Sequence, residues 1–164
     1  FLEDVLARNG VITLGGDIHS TYVTEHGADP VTGNKSFNFT TPSVSSGTFG
    51  SFLEAGLTAT LSQLGDVPDS VSTLPFFFNI LLQTATERND ISDDLFFADM
   101  WQHGIGIVTV SGDKVDVEFH NVNSEINAES TVAVSYYDRQ EEYLNLVNVH
   151  KFTVANNQVE KIGQ

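Results

Sequence analysis

Asp17 and His19 stand one residue apart in the stretch VITLGGDIHST, residues 11–21, directly after an apolar run that closes in Gly15 and Gly16. A carboxylate offers a hard oxygen and an imidazole a borderline nitrogen. A site holding both suits zinc, manganese or iron better than magnesium alone. In an extended backbone, residues two apart project to the same side. That geometry aims Asp17 and His19 at one site and turns Ile18 into the core. The paired glycines let backbone or ligand come close, and the ends of strands are where α/β folds place their sites. The same letters also fit an Asp-capped polar turn. Two side chains do not complete a metal centre, so the remaining ligands must come from elsewhere.

The elements that position this pair follow from hydrophobic period and turn residues. Three β-branched residues and a leucine between glycines make 11–15 a short buried strand. STYVTEH, the turn-rich GADPVTGN and the alternating KSFNFT form a hairpin between 21 and 41. The small polar segment 42–51 is a loop that leads into a helix over 52–65, where Phe52, Leu53, Leu57, Leu61 and Leu64 recur at helical spacing. A second helix covers TLPFFFNILLQTATERND, with Pro75 in its first turn. Its apolar face is thick enough for burial, and the phenylalanines at 76–78 read as core. A short strand is expected over 95–98. From Gly104 the pattern turns to β: a hairpin around 111–113, a strand in TVAVSYYDRQ, and a final pair joined at Asn156-Asn157. FLEDVLARNG reads as the end of an amphipathic helix, which suggests a piece of a longer chain.

Composition narrows the functions. The chain has 164 residues, 40% of them hydrophobic, which is enough for one globular domain with a core. No apolar run approaches bilayer length. With 22 Asp+Glu against 7 Lys+Arg, the net charge of −15 repels phosphate backbones, so nucleic-acid scaffolds are excluded as general partners. The absence of cysteine removes disulfides, thiolate zinc sites and cysteine nucleophiles.

VITLGGDIHSTYVTEH, then the Pro/Ser loop TTPSVSSG, then DLFFADMWQHGIGIVTVSGDKVDVEFHNV, in that order, resemble the C-terminal part of PhoD-like alkaline phosphatases, members of the calcineurin-like metallophosphoesterases. The resemblance covers roughly residues 10–122. It implies an α/β (α+β) fold in which residues 1–122 are the C-terminal half of a four-layer α/β/β/α sandwich. Residues 123–164 would add an antiparallel β-rich extension packed on the same domain. It implies metal-dependent hydrolysis of phosphate mono- and diesters. The ions would be iron and calcium, or of the Zn/Mn type, in a centre of two or more completed by residues outside this chain. Asp17 and His19 match the last ligand pair of the family. Ser20 or Thr21 would hold the His19 ring, and Ser20 and His103 are candidates for contact with substrate or with a ligand. The family's other ligand motifs, an N-terminal D-x-x-x and a G-N-H type, do not occur, and the usual Gly-Tyr is Gly104-Ile105. The chain is therefore expected to be inactive alone and to need the N-terminal half as its partner. Family members are often secreted, which implies a secreted or periplasmic location.

A sandwich cut in half exposes apolar surface. The chain should pack on its other half, form a homodimer through the open sheet edge, or be less stable than a whole domain. Other candidates carry plainer readings. Asp99 shares the reading of His103, mainly as a turn residue. His26, His120 and His150 are structural or surface histidines. Asp90, Asp93 and Asp94 lack the D-x-D-x-D-G rhythm of a calcium loop. Ser43, Ser45 and Ser46 lack a nucleophile's setting and order the loop near the site. The rival for the whole chain is a non-enzymatic acidic β-rich module, a calcium-dependent interaction domain, in which the D-x-H is a turn.

Overall fold

A computed structural model describes residues 10–44, 46–63, 65, 71, 73–86, 94–123 and 144–163. Among these, the fold is mixed α+β, with two four-stranded sheets and two helices. In the first sheet, β1 (Ile12–Gly15) pairs in parallel with β3 (Ser36–Thr40). Antiparallel pairing then joins β3 to β2 (Thr21–His26) and β2 to β4 (Leu95–Asp99), giving the order β1-β3-β2-β4. The second sheet is an antiparallel meander of β5 (Gln102–Ser111), β6 (Lys114–Asn123), β7 (Val147–Ala155) and β8 (Gln158–Lys161).

Alternation decides what lies between the sheets. Val23, Phe37, Phe39 and Phe97 from the first sheet meet Val117, Phe119, Phe152, Val154 and Val159 from the second. Their rings interlock, with centroids 6.4 Å apart for Phe39–Phe119, 5.8 Å for Phe97–Phe152 and 6.0 Å for Phe119–Phe152. Each such side chain contributes about 2–3 kcal/mol of burial, and each tilted ring pair about 0.5–1.5 kcal/mol more. The C-terminal strands belong to this core. β7 and β8 continue the sheet of β5 and β6. The turn between β7 and β8 pins the two sheets together. Asn156 and Asn157 both take positive φ, as a tight hairpin turn requires. Asn157 Oδ1 accepts from the Lys35 amide at 2.6 Å, and its Nδ2 donates to the Gly33 carbonyl at 2.8 Å.

The helices differ from expectation in two respects. α1 runs Phe49–Ser62, three residues earlier than its leucine spacing suggests, because Thr48 caps it: Thr48 Oγ1 accepts from the Ser51 amide at 3.2 Å. α2 (Leu74–Thr86) keeps Pro75 in its first turn, yet its apolar face is not core. Phe77 is 55% exposed, Phe78 49% and Leu81 64%. The reason is that α2 packs on β4 and α1, and no described layer covers its other side. No described helix is long and apolar enough to cross a membrane. The expected helix at 1–9, the strand in 131–140, and Asp90, Asp93, Ser45, Leu64 and the Phe76 side chain lie outside what is described.

Candidate functional site

β1 and β2 flank β3, so the five residues joining them, 16–20, arch over the end of β3. β1, β3 and β4 run parallel. Their C-terminal ends therefore gather at one end of the sandwich: the D-x-H arch, the serine loop after β3, and the turn after β4.

The arch is not extended. Asp17 has φ 72° and His19 φ 56°, both left-handed. Asp and His are among the residues that tolerate this region, at a cost of roughly 1–2 kcal/mol each. Ile18, expected in the core, is 49% exposed, because the arch lifts it off the sheet. The strain is held by backbone bonds. Gly15 O accepts from the Thr41 amide at 3.0 Å, and His19 O accepts from the Phe49 amide, the first of α1, at 2.9 Å. The next amide, Gly50, donates to Met100 O at 2.9 Å. A Cβ at Gly50 would sit 2.6 Å from the Trp101 ring, so only glycine lets α1 dock this closely. With Ser51 and Phe52 bonded to Thr48, the amides of this first turn are used inside the protein.

His19 is oriented by the serine loop. Its Nδ1 lies 2.5 Å from Gly47 O and 3.4 Å from Ser46 Oγ, and its ring leans on Phe52 at 5.3 Å. A carbonyl only accepts, so Nδ1 carries the proton that meets Gly47 O, and Nε2 is the nitrogen left to bind a metal. A ring held through one nitrogen by a carbonyl is the usual setting of a metal-ligating histidine. The holder differs from expectation: it is Gly47, not Ser20 or Thr21. Ser20 is fully buried with its hydroxyl 3.4 Å from Ile18 O, and Thr21 Oγ1 accepts from Asn121 Nδ2 at 3.1 Å. Burial on the core side is what withholds both hydroxyls from the ring.

The same loop reaches His103. Ser43 Oγ donates to Ser46 O at 2.7 Å and lies 3.4 Å from His103 Nδ1, while Ser43 O accepts from the Gly104 amide at 3.1 Å. His19 and His103 thus meet the same serine loop, His103 at Ser43 and His19 at Ser46 and Gly47. Behind it, Asp99 is 2% exposed, with Oδ1 accepting from the amides of Trp101 at 2.8 Å and Gln102 at 3.1 Å. Burial pushes its carboxyl above the ordinary range, and the two amides only partly offset this. Beside it in the core, Asn121 bridges β6 to β2 through Thr21, with its Oδ1 buried and unpartnered. Thr48, Gly47 and Asn121 were not anticipated. Asn121 does leave a signal: it is an amide at an inward position of a strand whose other inward residues are Val115, Val117 and Phe119.

Among the described residues, no group of three or more His, Asp or Glu side chains is placed to hold a metal ion. Asp17 and His19 offer two donors of suitable chemistry, and the arrangement otherwise supplies orientation rather than a complete shell. The chain matches no protein-family profile, no curated protein and no solved structure.

Proposed function

We propose that this chain is the C-terminal part of a metal-dependent phosphoesterase of the PhoD-like, calcineurin-like type, acting on phosphate mono- or diesters. One observation carries the reading. The D-x-H arch is kept in a costly left-handed backbone at the end of β1, while Gly47 O fixes the His19 tautomer that leaves Nε2 as a donor. Left-handed residues also occur in ordinary turns, as at Asn156-Asn157, so the held His19 ring is what separates this arch from a plain one. Bound there, a di- or trivalent ion of the iron, calcium, zinc or manganese kind supplies Lewis acidity toward a phosphoryl oxygen. Asp17 and His19 hold it from this side, and the remaining ligands come from the N-terminal part of the sandwich.

The edge of β1, unpaired among the described residues and with Leu14 61% exposed, and the face of α2 that no described layer covers fit an interface with that part, or with a second copy. A secreted or periplasmic setting accompanies the reading through its family. A non-enzymatic acidic module accounts for the charge and for left-handed turn residues, but gives no role to the His19 ring held on Gly47 O. The test uses the complete polypeptide with metals resupplied and p-nitrophenyl phosphate as substrate. Asp17→Ala and His19→Ala should each lower bound metal and cut kcat/KM by at least a hundredfold, in the range for lost metal ligation. Unaltered turnover in either variant removes that residue from the mechanism.

A further inference from the structure

The outer face of the second sheet carries, among the described residues, a cavity of about 490 Å³. Its walls follow from strand alternation. With Val117, Phe119 and Asn121 turned inward, His120 and Val122 must face outward. Register then places His103 opposite Val122 and Ile105 opposite His120 on β5, with Val149 opposite His120 on β7. Val44, 70% exposed, closes one side. It belongs to the same loop that holds His19 through Gly47 and His103 through Ser43. His120 Nε2 is tied to Glu118 at 3.2 Å. The lining is mostly aliphatic with two imidazoles, and both lining and volume fall within the usual range for small-molecule sites.

We propose that this cavity seats the apolar aryl or alkyl group of a phosphoester whose phosphate lies at Asp17 and His19. The proposal rests on the phosphoesterase reading and adds the substrate class: esters with a hydrophobic group, favoured over esters of small or polar alcohols. Two features of the cavity support this occupant. The cavity opens beside the serine loop, so one loop connects it to the metal-side pair. Val44 and Ile105, the latter 49% exposed, also present apolar surface there. A hydrophobic wall discriminates by how much apolar surface a ligand brings, on the order of tenfold or more for a ring.

The complete metal-loaded polypeptide is tested in two ways. Fluorescence titration measures 2-naphthol, which needs no catalysis to bind. Steady-state kinetics compares kcat/KM for octyl phosphate and ethyl phosphate, whose alcohols are equally poor leaving groups. The wild type should bind 2-naphthol and favour the octyl ester at least tenfold. Ile105→Asp, at an outward half-exposed position, should weaken 2-naphthol at least tenfold and collapse the ester preference. The filling variant Val149→Trp should do the same. Failure of the wild type to bind 2-naphthol overturns the proposal, as does an ester preference that survives both variants. Neither result bears on Asp17→Ala, whose turnover judges the phosphoesterase reading by itself.

Discussion

Gly104→Ala offers the sharpest test of how the site is built. Gly104 sits on β5 opposite Asn121 of β6, one residue past His103, with its amide on Ser43 O. A Cβ there would lie 2.4 Å from the His120 carbonyl oxygen and 2.7 Å from Asn121 Oδ1, where carbon atoms essentially never come within 3.0 Å. The first obstacle is backbone of a central strand, locked on its core side by Phe119 and Phe152, so no flexible side chain can yield. The two strands must part or β5 must twist. Overpacking of this kind costs about 2–3 kcal/mol. For a chain of this size each kcal/mol shifts Tm by about 2–4 °C, which gives a fall of roughly 4–12 °C. Scanning calorimetry of the wild type, Gly104→Ala and Gly27→Ala provides the measurement. Gly27 has no atom near its Cβ position, and its variant should melt close to the wild type. A Gly104→Ala protein melting within 2 °C of the wild type (about 0.5–1 kcal/mol) would refute the claim that close strand approach, rather than chance, selects glycine beside His103.

Two further predictions concern pH. Burial holds the Asp99 carboxyl above its ordinary value, so the folded state binds the proton more tightly than the unfolded one. Stability therefore falls as pH rises from the unfolded value, about 3.9, to the raised folded one. Asp99→Asn keeps Oδ1 as acceptor for Trp101 and Gln102 without the charge. In urea melts it should gain on the wild type as pH climbs from 3.5 to 7, whereas parallel curves would sink the argument. His150 behaves in the opposite sense. Burial first, then Lys161, lowers its pKa, while its Nε2 is buried without a partner and its ring lies 4.4 Å from Phe97. Its contribution is complete above the unfolded value of about 6.5 and is lost as pH falls toward the folded one. His150→Phe keeps a ring against Phe97 and should flatten the loss between pH 7 and 5; an unchanged slope relative to the wild type refutes it.

The arch shows how a site is built from ordinary parts. Left-handed residues are costly, and the cost is met here by three bonds to the one connection between β3 and α1: Thr41 on Gly15, Phe49 on His19, and the His19 ring on Gly47. Release of any one would let the arch relax toward an extended turn. The N-terminus of α1 is the common anchor, since its first amides hold both the arch and the turn after β4.

Sequence alone determined the parts governed by local pattern. Strand alternation fixed β2, β3, β5, β6, β7 and β8, because period-2 burial has no competing solution when one face must be dry. The paired asparagines at 156–157 marked a turn that is found there, since few other residues accept positive φ in succession. Residue type and spacing singled out the D-x-H pair and the nearby serines, which the structure places next to one another. Tertiary structure decided what depends on partners distant in the chain. Parallel pairing of β1 with β3 forced residues 16–20 to arch, which turned the expected extended presentation into a left-handed one and exposed Ile18. The carbonyl that orients His19 comes from Gly47, 28 residues away; no side-chain letter signals a main-chain acceptor. The apolar face of α2 looked like core because periodicity reports that a face is apolar, not that anything covers it.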